Sequence, residues 1–212
     1  MLLRQCIESC RALCLGLLLA LAGCAGGPES LPAEAANAEA AGDAFVVPPE
    51  ALTLYERAVA SMAAGESMEA ELRLQEFLLQ YPQFPGAHTN LAIIFAERGD
   101  FDAAQASLDE ALALDPENAA ALNRLGIVLR NTGRFREAEE AYLRAITAEP
   151  DYALAYYNLG VLNDLYFQHF AEALQYYERY QELAGEDAQV GKWIADLERR
   201  VAAAQRAANV TE

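Results

Sequence analysis

The sequence predicts an all-α solenoid, a stack of helical hairpins, and three observations carry that expectation. Pro82, Pro116 and Pro150 stand 34 residues apart. Between them the same residue types return at the same offsets: Leu91, Ala92, Gly99, Ala104, Leu108 and Ala111 are answered by Leu125, Gly126, Gly133, Ala138, Tyr142 and Ala145. A period of this length fits two amphipathic helices and a turn, a unit that cannot bury its apolar face alone, so neighbours must stack. Function is then expected on a surface rather than in a deep pocket.

The elements follow in chain order. Arg4 and Arg11 precede an apolar run from Ala12 to Ala22, too short to cross a bilayer as a stable helix, which reads as a secretory signal over residues 1–23. The run ends in Leu21-Ala22-Gly23-Cys24, which resembles the lipobox of bacterial lipoproteins. That resemblance implies cleavage before Cys24 and acylation of its thiol, palmitate included; the alternative is an ordinary signal peptide with an incidental Cys. Ala25 follows, where an Asp would imply inner-membrane retention, so the resemblance points to the outer membrane with the chain facing the periplasm. Cys6, Cys10 and Cys14 lie in the segment to be removed, so the mature chain keeps no thiol for a disulfide or a Cys-based metal site. Several acyl chains on one Cys would anchor firmly, since each buried methylene contributes about 0.8 kcal/mol. Residues 24–48 are rich in Ala, Gly, Glu and Pro without a sustained apolar face and read as a flexible linker. Its root-mean-square reach is about 27 Å.

Residues 49–187 hold four copies of the repeat, starting at Ala51, Pro85, Ala119 and Ala153. Their register of Leu-Gly (Leu125-Gly126, Leu159-Gly160), Tyr142, Ala138, Ala145 and the closing prolines resembles the tetratricopeptide repeat (TPR). Small residues at Ala92, Gly126 and Gly160, and at Ala70, Ala104 and Ala138, are expected to let helices approach closely, with Leu91, Leu125 and Leu159 filling the space between. Gly99 and Gly133 occupy helix exits that favour a left-handed conformation. His88 takes the aromatic place of copy two and reads as a packed core residue. Copy one has Arg57 where a Leu is expected, which suits a terminal, partly exposed repeat. Copy four reaches Phe170-Ala171-Glu172-Ala173 one residue late and rewrites the turn as Asp164-Leu165-Tyr166-Phe167-Gln168, an insertion expected to form a loop or an extended helix end. Residues 188–212 form a capping helix and tail, with Val190, Trp193, Ile194, Leu197 and Val201 at helical spacing. Trp193 is expected to cover the apolar face of copy four.

Charge narrows the partner class. The net charge is −17, and removing residues 1–23 takes away Glu8, Arg4 and Arg11, leaving 31 acids and 13 bases, a net of −18. Nucleic acid and anionic lipid are disfavoured partners, and Lys192 is the only lysine. No Gly-rich phosphate loop, metal-ligand cluster or triad spacing is present, so the reading is a non-enzymatic chain with no cofactor, no metal and no small-molecule substrate.

In TPR proteins the first helices line a groove that takes an extended peptide or helix, so the resemblance implies a protein or peptide partner here. The groove residues would be Tyr55, Thr89, Asn90, Ile93, Asn123, Arg124, Ile127, Arg130, Tyr157, Asn158, Val161 and Asp164. Asn90, Arg124 and Asn158 are equivalent and could form a polar ladder for a peptide backbone; Asn there is also common in TPR sequences for reasons of the family. The lysines of a carboxylate clamp are missing, so a C-terminal EEVD-type ligand is not expected. The overall expectation is a membrane-anchored adaptor of an envelope complex. The stretches Tyr156–Leu162 and Lys192–Leu197 look like TPR components associated with TonB-ExbB-ExbD systems. The alternatives are a pilotin-like assembly lipoprotein for type IV pilus secretins, though those usually have about six repeats, and a scaffold for cell-wall hydrolases of the NlpI type.

Overall fold

A computed structural model describes residues 48–210; the leader, Cys24 and all of the linker except Pro48 lie outside the described residues. The described residues are helical throughout: α1 (Pro49–Ala63), α2 (Ser67–Gln80), α3 (Pro85–Glu97), α4 (Phe101–Leu114), α5 (Ala119–Asn131), α6 (Phe135–Ala148), α7 (Ala153–Leu162), a π-helical turn (Asn163–Phe167), α8 (Phe170–Ala184) and α9 (Ala188–Val210). None of these helices is long and apolar enough to cross a membrane.

Local chemistry sets the boundaries. Pro49 and Pro85 sit in the first turns of α1 and α3, where a missing N–H costs nothing. Asp100 and Asn118 cap α4 and α5, their side chains accepting from the backbone N–H groups of Ala103 at 3.2 Å and Ala121 at 2.9 Å. Asp187 does the same for α9, accepting from Gln189 and Val190. Gly65, Gly99 and Gly133 take left-handed φ values of 73°, 81° and 80° at the hairpin turns.

The helices pair as α1–α2, α3–α4, α5–α6 and α7–α8, and each second helix also packs on the next first helix. First helices touch each other as well, α3 with α5 and α5 with α7, whereas no two second helices pack to the same extent. The array therefore curves with the first helices inside. Packing between hairpins follows one register. Ala87, Leu91 and Ile94 of α3 are buried against the preceding hairpin, and Ala155, Leu159 and Leu162 of α7 hold the same places. In α1 those places are Thr53, Arg57 and Ala60, all exposed, so the first hairpin closes its leading side with residues that tolerate water.

At the other end, α9 begins 35 residues after α7 and presents Val190, Ile194 and Leu197 in the register of Ala155, Leu159 and Leu162. The capping helix is thus the first helix of a fifth repeat that has no second helix. Where α5 turns Gly126 toward its partner, α9 carries exposed Ala195, flanked by exposed Lys192, Glu198 and Arg199. Trp193 packs 5.5 Å from Tyr177 and 6.1 Å from Tyr157, ring centre to ring centre.

Two details refine the sequence reading and one departs from it. The inserted residue of copy four extends the helix end rather than forming a loop, as a π-helical turn that continues α7 to Phe167 and is closed by a bond from the His169 N–H to the Asn163 carbonyl at 2.9 Å. Gln168, with φ 58°, takes the left-handed place that Gly133 holds one repeat earlier. His88 is only half-buried: its Nε2 lies 3.0 Å from the Pro82 carbonyl, and Tyr156 bonds the Pro150 carbonyl in the same way. The aromatic position of the repeat thus ties down the preceding proline turn.

Candidate functional site

The inner face is built from α3, α5 and α7, and the register of the repeat decides which side chains it shows. Tyr55, Thr89, Asn123 and Tyr157 share one position on successive first helices. The first three are buried. The Tyr55 hydroxyl accepts from Asn90 Nδ2 at 2.8 Å, and its ring packs on Phe77 and Phe84. Thr89 donates its hydroxyl to the Pro85 carbonyl of its own helix. Asn123 accepts from Asn158 Nδ2 at 2.9 Å, and Arg130 donates to the Asn158 carbonyl oxygen at 3.3 Å.

Asn90 and Asn158 therefore each reach back to the neighbouring first helix, forming polar rivets in the seam between repeats. An amide buried with a partner avoids the penalty of an unmade bond, about 1–3 kcal/mol, and fixes the register of the two helices. Arg124, the third member of the row, makes no such bond. Its half-buried side chain has no hydrogen bond or ion pair among the described residues.

Between α3 and α5 the inner face opens into a hollow of about 200 Å³, lined by Ala92, Ile93, Ala96 and Glu97 of α3, Leu108 of α4, and Arg124, Ile127, Val128 and Asn131 of α5. Its floor is aliphatic, and Arg124, Glu97 and Asn131 stand at its edge. Of the residues singled out in the sequence, Ile93, Arg124 and Ile127 meet here. Glu97 and Asn131 were missed, although each lies one helical turn beyond Ile93 and Ile127 on the same face.

Tyr157 and Val161 belong to a separate aromatic cluster with Tyr177, Tyr180 and Trp193, where α9 covers them. Burial pushes the Tyr157 phenol above its ordinary range, with Arg130 opposing and Asp187 adding to the shift. Asp164, in the π-helical turn, is likewise raised by burial, eased by Arg200 and reinforced by Asp196. Among the described residues no group of three or more His, Cys, Asp and Glu side chains could hold a metal ion.

The comparisons agree with this geometry. Two tetratricopeptide-repeat family profiles match, one over residues 55–119 and the other over residues 95–161. No curated protein sequence matches significantly. Among solved structures, Pseudomonas aeruginosa PilF is 27% identical, with a TM-score of 0.65 over 74% of this chain and 72% of that one. MamA from Desulfovibrio magneticus RS-1 is 22% identical, with a TM-score of 0.62 over 77% of this chain and 92% of that one. The first TPR of Spaghetti (RPAP3), bound to an HSP90 peptide, is 24% identical, with a TM-score of 0.52 over 57% and 96%. The last two likenesses speak to the fold alone. The 34-residue period, the seam between first helices and the two profile matches converge on one assignment: the stacked hairpins of this chain are tetratricopeptide repeats, a fold for protein interaction.

Proposed function

We propose that this chain is a lipid-anchored, periplasm-facing adaptor that holds a protein partner on the inner face of its TPR array. The observation that carries the binding role is the hollow between α3 and α5, where an aliphatic floor lies beside an unpaired Arg124 in a chain of net charge −17. A cation kept without a carboxylate, in a protein so rich in them, is available to a partner's acidic group. The floor offers Ile93 and Ile127 to an apolar side chain beside it.

Replacing Ile93 by Asp and Arg124 by Glu together is expected to lower crosslinked partner capture at least tenfold with the thermal midpoint nearly unchanged, since neither side chain is fully buried. Undiminished capture by that folded variant would move the binding site elsewhere. Anchoring rests on the lipobox-like Leu21-Ala22-Gly23-Cys24, and outer-membrane placement on Ala25. Cys24→Ser is expected to abolish incorporation of a fatty-acid analogue, and labelling that survives it would defeat the anchor.

A second reading has its own support. The likeness to PilF is compatible with a pilotin-like role in assembling a type IV pilus secretin, with four complete repeats plus one first helix serving the same purpose as a longer array. The TonB-ExbB-ExbD association is a narrower form of the adaptor reading and rests on Tyr156–Leu162 and Lys192–Leu197. The partner recovered by crosslinking, whether a secretin, an energy-transducing subunit or a cell-wall hydrolase, decides among them.

A further inference from the structure

The outward face of α2 carries a pattern that the repeat does not require. Met68, Leu72, Gln75 and Leu79 stand 4, 3 and 4 residues apart, on one line opposite buried Ala70, Leu74 and Phe77. The three apolar members of the line are 82%, 60% and 85% exposed. In the second and third repeats their places hold Asp102, Ala106 and Ala113, then Arg136, Glu140 and Thr147. The fourth repeat is no more apolar there, with Gln175 and Glu182. The line is therefore peculiar to the first hairpin, and stacking of the repeats leaves it uncovered.

That spacing is the one of the a and d places of a heptad, with Leu72 and Leu79 at a and Met68 and Gln75 at d. The flanking e and g places carry Glu69, Glu76 and Glu71, with half-buried Leu78 as the fourth. Arg73 donates to Glu69 at 2.8 Å and Arg98 to Glu71 at 2.7 Å, surface pairs that hold their partners loosely. Glu76 has no ion pair among the described residues. These flanks decide the occupant. An extended segment would find no free N–H or C=O on the side of a helix, whereas a second helix closes its own backbone bonds and lays its a and d side chains along the line. Lys or Arg at the e and g places of that helix would meet the three glutamates. A second copy of α2 would set glutamate against glutamate in either orientation, and an anionic lipid surface is repelled for the same reason.

We propose that the outer face of α2 docks an amphipathic helix of a partner protein, one with aliphatic residues along its a and d seam and Lys or Arg beside it. Met68, Leu72 and Leu79 are all covered by such a helix, and Gln75 lies between them on the same seam. The face points away from the hollow of α3 and α5, so the two surfaces can be filled at once. Three apolar side chains bury well under the about 800 Å² per partner of a standard stable complex, so the contact is weak and transient when alone. It gains force when the same partner is held at a second point, since linked contacts act at high effective concentration.

Synthetic peptides of three heptads, titrated into the full chain by fluorescence anisotropy, test this. One has Leu at every a and d place and Lys at every e and g place; a second exchanges Lys for Glu, and a third exchanges Leu for Ser. The first is expected to bind at least tenfold tighter than either of the others. Replacing Met68, Leu72 and Leu79 by Gln should remove that advantage with the thermal midpoint unchanged, since all three side chains are exposed. Glu69→Lys with Glu76→Lys should transfer the preference to the Glu peptide. Equal binding of the Ser peptide would mean diffuse attraction to an acidic protein and would overturn the proposal. So would binding that survives the Gln variant, or that is lost instead on Ile93→Asp with Arg124→Glu, which would place it in the hollow. Dimers in sedimentation velocity that the Gln variant abolishes would give the face to a second copy, and binding to zwitterionic vesicles that the same variant abolishes would give it to lipid. Either result refutes a basic helix as the occupant.

Discussion

Gly126 shows how one atom decides the build of a hairpin. A Cβ on Gly126 would press into the Tyr142 ring, and one on Gly160 would lie 2.5 Å from the ring of Tyr177. In the first two repeats the same pairs are Ala58 with Leu74 and Ala92 with Leu108, all buried. The two positions thus vary together within one chain, glycine with tyrosine and alanine with leucine. Gly126→Ala is expected to cost about 1–3 kcal/mol by overpacking, and adding Tyr142→Leu should restore most of it in urea denaturation. A neutral or stabilising Gly126→Ala, which helix propensity alone would give, would contradict the pairing. The sequence made the small residue legible but not its reason: it suggests that backbones close up, whereas a ring fills the space. The Tyr142 hydroxyl is buried there without a hydrogen-bond partner among the described residues, and burial holds its phenol well above the ordinary range.

Among the elements, the starts of α3, α5 and α7 were legible to the residue at Pro85, Ala119 and Ala153, because period and capping chemistry set them, whereas α1 begins at Pro49, two residues before the first copy's Ala51. Which face of a first helix stays open was not legible. A first helix in a stack is covered by its own second helix, by the preceding hairpin and by its neighbours along the inner layer, so apolar and amide residues occur nearly all round it. Asn123 and Asn158 therefore looked like groove residues but lie in the seam, while Ile93, Arg124 and Ile127 face the hollow. The sequence left the one-residue insertion open between a loop and an extended helix end; the helix extends, in π-helical form, with Tyr166 packed on Phe135, 4.4 Å between ring centres, and Arg136 over the Phe167 ring. Gln168 bears the left-handed strain of that turn. Gln168→Gly is expected to stabilise the protein by about 0.5–1 kcal/mol in denaturant titration, and a destabilised variant would mean that the Gln side chain holds the turn.

At the scale of the whole molecule, the fifth first helix sets how far folding cooperates. Removing residues 188–212 strips cover from Tyr157, Tyr177 and Val161 and deletes buried Val190 and Leu197, each worth about 1.5–3 kcal/mol. Calorimetry of that truncation is expected to split unfolding into two steps, the lower belonging to α7 and α8; a single transition at an unchanged midpoint would show that α9 does not brace the fourth repeat. The cap was legible as an amphipathic helix, but its descent from a repeat was hidden by the extra residue that shifts its register to 35. Both extremities of the stack share a property that reaches beyond one molecule. Thr53, Arg57 and Ala60 on α1, and Lys192, Ala195, Glu198 and Arg199 on α9, give an incoming copy no greasy ledge on which to continue the superhelix. An incoming copy thus meets only hydrophilic or methyl-sized groups at those positions on both ends of the described array, which disfavours the end-to-end growth that is the standing hazard of modular solenoids.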